Sequence, residues 1–419
     1  MCSGSKWLLC LLATVVFCAD SFAQNTTSPY SILGIGDIET KDFGRFFATG
    51  NAATARREAY SYNFSNPASL TALPYKTMNM DFAFRGKASN FNSPYSDTGA
   101  TAINKDFSIK RVSVAFKVTE KAAFAFGLRP FSTVNYQYSN YNNITDGNAT
   151  IYKLTEGEGG INQVYFSYAR TLAKGLNAGI TGSWLFGGIT RNNTYASVDA
   201  DLSMAGKFQE FYYGAGATAG LQYEAGTNKK VKHQFGLTAS VYQKLKGEFT
   251  SSYSDATGIL KEETTNSSFK MPMVFNAGYA ATFKNLYTFA LEGQFSKWDY
   301  QKLNYSNSYV DNSFKIGAGF EYAPKLKQSN YTVEKFYLGA GINYERSYMV
   351  INNHFLNDLS VSFGGGYNIS RILYMHGALE AGRKGSTSVG QYSENYMQFV
   401  LGFTLKDIWL GSKKFGRYQ

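Results

Sequence analysis

Met397-Gln398-Phe399-Val400-Leu401-Gly402-Phe403-Thr404-Leu405 decides the fold. In an extended chain successive side chains point to opposite faces, so Met397, Phe399, Leu401, Phe403 and Leu405 share one face and Gln398 and Thr404 lie on the other. A strand that is greasy on one side and polar on the other covers a core or faces lipid. The same period recurs upstream. Met78, Met80, Phe82 and Phe84 alternate with Asn79, Asp81 and Arg85; Val112, Val114, Phe116 and Val118 alternate with Arg111, Ser113 and Lys117. Phe235, Leu237, Ala239 and Val241 behave alike, as do Tyr287, Phe289, Leu291 and Phe295, and Phe314, Ile316, Ala318 and Phe320 oppose Lys315 and Glu321. This dyad repeat predicts an all-β transmembrane antiparallel barrel.

Fourteen such segments are expected, at 75–90, 106–118, 121–139, 161–172, 175–196, 206–225, 231–250, 267–283, 286–302, 312–323, 334–347, 358–369, 372–384 and 395–406. An even number suits a bacterial single-chain barrel. Connections after odd strands are long (91–105, 140–160, 197–205, 251–266, 303–311, 348–357, 385–394) and most after even strands are tight, such as Thr119-Glu120, Ala173-Lys174 and Lys284-Asn285. The stretch from Pro324 to Val333 is the exception. Short periplasmic turns and long outside loops are the barrel convention, so both termini are expected in the periplasm of a bacterial outer-membrane protein. A soluble sandwich would need shorter strands with a second buried face.

Composition agrees. The 419 residues include 32 Tyr, 33 Phe and 41 Gly but only 7 Pro. No later stretch reaches the ~18 consecutive apolar residues of a membrane helix. The net charge of +11 is scattered over strands and turns with no dense cluster, so nucleic acid is not an expected partner. Tyr136, Tyr138, Trp298, Tyr300, Tyr344 and Trp409 lie near strand ends and read as interfacial girdle residues.

Before the strands lie two other segments. Residues 1–23 carry Lys6, an apolar run from Trp7 to Phe17 and a Ser21-Phe22-Ala23 end, the pattern of a secretory signal peptide. Cys2, Cys10 and Cys18 all fall within it, so the exported chain would hold no thiol; lipidation at Cys18 is the lesser alternative, because Val-Val-Phe before it lacks small residues. Residues 24–74 are rich in small residues and show no period-2 alternation, with Gly34, Gly36 and Gly50, then Asn66-Pro67-Ala68. A fourteen-stranded lumen is too wide for its own side chains to fill, so it holds water or a plug. We expect 24–74 to be that plug, an N-terminal hatch inside the lumen, ahead of a barrel at 75–406 and a basic periplasmic tail at 407–419. Paired glycines offer it a recess: Gly214 and Gly216, Gly317 and Gly319, Gly339 and Gly341, Gly364 and Gly366. Sheet curvature is the alternative use of such glycines.

The signal peptide, a small-residue segment ending in Asn66-Pro67-Ala68, and about fourteen strands resemble the FadL-type outer-membrane transporters. Glu380-Ala381-Gly382-Arg383-Lys384-Gly385-Ser386, Glu394-Asn395-Tyr396 and Leu401 through Trp409 are similar to FadL-related barrels of Bacteroidota. That resemblance implies passive uptake of a small hydrophobic molecule such as a fatty acid. It equally allows a plugged, non-transporting barrel subunit of an outer-membrane protein secretion or assembly complex. Partners would then be outer-membrane lipid, a small hydrophobic ligand, or outer-membrane and periplasmic proteins.

Chemistry has little to work with. His233, His354 and His376 lie far apart in sequence, no nucleophile signature accompanies them, and no cysteine remains in the exported chain. No catalytic residue, metal or cofactor is expected, and His376 reads as a lumen residue. Asp81, Arg85, Glu292, Glu321, Glu345, Glu380 and Arg383 fall on inward or rim positions and are expected to pair with one another or with the hatch.

Overall fold

The computed structural model describes residues 28–408 except 60, 94–101, 145–148, 198–202, 227–229, 304–306, 329–330 and 371. The signal-peptide assignment, Trp409 and the basic run 413–417 lie outside these residues. Fourteen antiparallel strands form a closed barrel. They are β1 Thr77–Asn92, β2 Ala102–Phe116, β3 Ala122–Ile144, β4 Ala149–Ala173, β5 Leu176–Ser197 and β6 Ser203–Ala225. β7 runs through Val231–Tyr242 and Leu245–Asp255, β8 through Gly258–Phe269 and Met273–Phe283, β9 through Tyr287–Lys297 and Gln301–Lys302, and β10 through Ser308–Val310 and Ser313–Tyr322. β11 Phe336–Ile351, β12 His354–Asn368, β13 Leu373–Lys384 and β14 Ser393–Ile408 complete the ring. Each strand pairs with the next, and β14 returns to β1 from Asn92↔Ser393 to Thr77↔Ile408.

The alternation places side chains as physics requires. Phe314, Ile316 and Phe320 face outward while Lys315 and Glu321 are buried, and Phe235, Leu237 and Val241 face outward opposite buried Gln234 and Thr238. Lipid accepts the first set and would reject the second.

Several stretches expected as loops are ladder instead. Within 140–160, β3 and β4 stay paired from Asn140↔Lys153 to Ile144↔Ala149; within 251–266, β7 and β8 stay paired up to Asp255↔Gly258; within 348–357, β11 and β12 meet at a turn on Asn352 and Asn353. Above the lipid the outer face no longer needs to be apolar, so the strand continues after its hydrophobic signal has ended. The Pro324 to Val333 connection contains a separate small hairpin, Lys325–Gln328 with Tyr331–Glu334.

Residues 28–73 thread the lumen. Ser28 donates its hydroxyl to Glu394 and its amide to the Asn135 carbonyl, both near the long-loop ends of β14 and β3. Lys117, at the short-turn end, donates to the Thr71 carbonyl. The described chain therefore starts at one end of the barrel and finishes at Ile408 at the other, about 45 Å away along β14. For the described residues this differs from the expectation that both termini share a side: passage along the lumen uses the barrel's height before β1 begins. Near the long-loop end Tyr30, Leu33 and Ile35 join Phe131, Trp298 and Tyr348 in a buried apolar cluster. Trp298 stacks on Tyr348 with ring centroids 4.6 Å apart. Trp298 and Tyr136 therefore belong to this inner cluster, not to a lipid-facing girdle, whereas Tyr138, Tyr300 and Tyr344 are exposed.

Candidate functional site

The site is the contact between the N-terminal segment and the wall. Arg45 begins a short 3-10 helix, Arg45–Thr49, whose residues are all buried. Its guanidinium reaches Glu321 on β10 at 2.7 Å and Glu334, at the end of the small hairpin, at 2.5 Å, and lies 4.2 Å from the centroid of the Tyr337 ring. Both carboxylates accept two of its N–H groups. Arg56 joins the same group, bonding Glu321 at 2.7 Å and Glu58 at 2.8 Å. A buried charge must be paired, and removing one partner of such a group costs about 3–5 kcal/mol.

Further anchors run along the segment. Glu39 pairs with Lys110 and, at 3.5 Å, with Arg85, which also holds Asp106 at 2.6 Å. Burial pushes the Glu39 carboxyl up, but Lys110 and Arg85 more than offset it and hold it at about 2. Asp42 meets Arg111, which also binds Asp81. Lys41 meets Glu380 at 2.5 Å, Thr40 donates to Glu345 at 3.1 Å, and Asp37 receives Lys384 at 3.0 Å. Glu292 accepts the Ala53 and Thr54 amides, both at 2.7 Å. Of the charges read from sequence as inward or rim, Asp81 finds a wall partner, Arg383 is exposed at the rim and donates to the Ser393 hydroxyl at 3.2 Å, and the others reach the segment.

The glycines divide into two groups. A Cβ at Gly317, Gly319 or Gly341 would overlap backbone of Thr49 or Gly50, and one at Gly339 would come within 2.9 Å of the Thr49 methyl. Gly50 itself sits at φ +63° as the cap of the 3-10 helix, a left-handed backbone that favours glycine. Gly214 and Gly216 instead face the Leu245 and Tyr242 side chains, and Gly364 and Gly366 face Ala378, Tyr337 and Tyr374. These four line wall, not segment. Gly220, an inward glycine of the same strand as Gly214 and Gly216, does meet the segment, at Asn66 and Pro67, and unforeseen close approaches occur at Gly179 against Pro67 and at Gly236 and Gly278 against Thr54 and Ala55.

The other segment residues singled out are held by the wall. The Gly34 carbonyl accepts from Arg191 at 2.6 Å and the Gly36 carbonyl from Tyr348 at 3.0 Å. Asn66 caps the helix Pro67–Ala72 by accepting from the Ala68 amide at 3.0 Å, while its side-chain amide donates to the Thr54 and Leu221 carbonyls. Arg45 and Glu334 were not singled out from sequence; the available signal was the cation in Phe43-Gly44-Arg45, one of four in 34–70 with Lys41, Arg56 and Arg57. His376 is buried and packs over Gly402, and among the described residues neither ring nitrogen has a hydrogen-bond partner, so there it is not the hydrogen-bonding lumen residue expected. Among the described residues no group of three His, Cys, Asp or Glu side chains comes together to hold a metal.

Two lumen cavities remain beside the segment, of about 100 and 140 Å³. The first is lined by charges including Asp37, Lys41, Arg85 and Lys384; the second mixes hydroxyl and amide groups such as Gln163, Thr181 and Ser240 with apolar Phe64, Phe131, Val274 and Trp298. Ligand pockets usually run ~300–1,000 Å³ with mainly apolar walls.

Solved structures similar to this chain share the barrel. A Pseudomonas aeruginosa FadL homologue aligns with TM-score 0.60 and 10% identity over 89% of this chain and 98% of its own. The Pseudomonas putida toluene transporter TodX gives 0.58 and 15% over 89% and 99%, and the CymD monoaromatic hydrocarbon channel 0.53 and 13% over 86% and 97%. Identities this low carry the fold alone, and the chain has the FadL-type outer-membrane barrel fold. No curated protein matches the chain. A family model described as BamG matches residues 6–416, nearly the whole sequence, and the chain belongs to the BamG family.

Proposed function

We infer that this chain is a plugged, non-transporting barrel subunit of an outer-membrane protein assembly or secretion complex. The observation that carries the reading is the anchored segment: buried ion pairs and backbone contacts tie 28–73 to β1, β2, β9, β10, β11, β12 and β13 at once. A hatch that must shift for each transported molecule would have to break several buried charge pairs together, each costing about 3–5 kcal/mol if left half-made. The two lumen cavities are also small for a greasy cargo. Membership of the BamG family supports a protein partner. On this reading the long loops face outside, and the small hairpin carrying Glu334 and the tail 407–419 face the periplasm, where they offer docking surface.

Uptake of a small hydrophobic molecule such as a fatty acid is the second reading, supported by neighbours described as a toluene transporter and a monoaromatic hydrocarbon channel. One preparation distinguishes the two. The protein is extracted in mild detergent, its co-purifying proteins are identified by mass spectrometry, and the isolated barrel is placed in liposomes with labelled fatty acid. A stoichiometric outer-membrane protein partner and no accelerated uptake is the expected result. A barrel that purifies alone and speeds fatty-acid entry overturns it.

A further inference from the structure

Among the described residues the ladder is incomplete in its upper part between β2 and β3, above Val112↔Leu128, and between β8 and β9. β8 pairs with β9 from Met273↔Lys297 to Phe283↔Tyr287, but the upper piece of β8, Gly258–Phe269, pairs with β7 alone among the described residues. Between it and the Gln301–Lys302 piece of β9 opens a lateral cleft of about 320 Å³. Lys244, Lys270 and Lys302 line it together with Ser267, Ser268 and Gln301. All three lysines are exposed, and none has an ion-pair partner among the described residues. Glu210 also lines the cleft, but Arg191 neutralises it at 2.9 Å. Buried Tyr212, Phe269 and Leu303 line the cleft's inner side with Gly34 of the N-terminal segment.

Height identifies the ligand's setting. Immediately below the cleft, outward-facing Met273, Phe275, Phe295 and Val241 form lipid-facing surface, and Trp184, Tyr213 and Tyr300 are exposed nearby at the level where aromatic side chains mark the interface. Lys297 faces out opposite Met273 at the same border. Three unpaired ammonium groups with a serine hydroxyl beside them are a recognition set for phosphate, to which lysine contributes as a point charge. A soluble anion would find these groups in water anywhere; here they sit where a membrane headgroup sits.

We propose that the cleft between upper β8 and β9 binds the phosphorylated headgroup of an outer-leaflet glycolipid through Lys244, Lys270 and Lys302. The inference is independent of the assembly-subunit reading and rests on the long-loop end facing outside. It predicts that lipid contributes a fixed ligand where the β8–β9 ladder is interrupted.

Native mass spectrometry of the full chain in mild detergent tests it, with added lipid A, lipid A stripped of its phosphates, and inorganic phosphate as probes. The expected result is retention of lipid A by the unaltered protein and a loss on the order of a hundredfold for the dephosphorylated form. The triple variant Lys244→Gln, Lys270→Gln, Lys302→Gln should lose lipid A to a similar extent, while Lys284→Gln, in the short turn at the opposite end, should retain it. Equal retention of the two lipid forms, or inorganic phosphate binding as tightly as lipid A, overturns the proposal. The comparison of lipid forms uses unaltered protein, so it decides the matter even if the triple variant fails to fold.

Discussion

Gly317 and Gly319 on β10, Gly341 on β11, and Gly364 and Gly366 on β12 share one sequence pattern yet meet different neighbours. Across the first three lies the backbone of Thr49 and Gly50; across Gly364 and Gly366 lie Ala378, Tyr337 and Tyr374 of the wall itself. The spacing of glycines along an inward face therefore marks a place where something approaches closely, without saying whether it is the plug or the barrel's own side chains. The difference is set by where the segment is anchored, and Arg45, held by Glu321 and Glu334, anchors it over β10 and β11.

Breaking the anchor should have the largest effect. Arg45→Met leaves Glu321 with Arg56 alone and Glu334 without its cation, a loss of about 3–5 kcal/mol. Limited proteolysis within 34–70 should then accelerate by more than about a hundredfold, with the barrel still heat-modifiable; an unchanged digest would mean the ion pairs are incidental to holding the segment.

The two glycine sets can be separated directly. Gly341→Ala drives a methyl into the Gly50 amide, which cannot rotate away, and overpacking of this kind costs about 1–3 kcal/mol. Gly216→Ala meets the Tyr242 ring, which can turn. Proteolysis of the segment should quicken in the first variant and stay at the unaltered rate in the second. Matching rates would erase the distinction drawn here.

Asn66→Ala should cost about 1 kcal/mol for the lost helix cap and about 1–3 kcal/mol more for leaving the buried Thr54 and Leu221 carbonyls without its amide. Its effect should appear as local hydrogen exchange across 66–72 and not across 45–50. Exchange rising equally in both stretches would show that the segment opens as a single unit.

Mild acid should do least. Glu39 is held at about 2, below its usual value near 4.5, so its contribution is complete above about pH 4.5 and is lost only as pH falls toward 2. Hydrogen-exchange protection across residues 37–43, around Glu39, should be the same at pH 7 and pH 5; its loss between those values would contradict the Glu39 pairing with Lys110 and Arg85.

Much of the barrel was legible because lipid imposes a strict period of two: Phe314 to Phe320 and Met397 to Leu405 could hardly be read otherwise. Strand ends were not, since 140–160 and 251–266 rise above the lipid where polar residues are tolerated on both faces while backbone pairing continues. Trp298 and Tyr136 were read as girdle residues because an aromatic near a strand end gives no hint of its face when the alternation has faded. The site was legible in kind but not in its anchors. Inward Glu321 stood out against its greasy neighbours, but Arg45 and Glu334 sit in stretches without periodicity, and only the fold brings residues 289 positions apart into contact.

The central claim is that residues 28–73 close the lumen as a fixed plug. Single-barrel conductance in a planar bilayer measures it most directly, comparing the unaltered protein with a variant lacking residues 34–70. The unaltered barrel should carry no steady ion current and the deletion variant should conduct persistently; equal steady conductance from both would contradict the account.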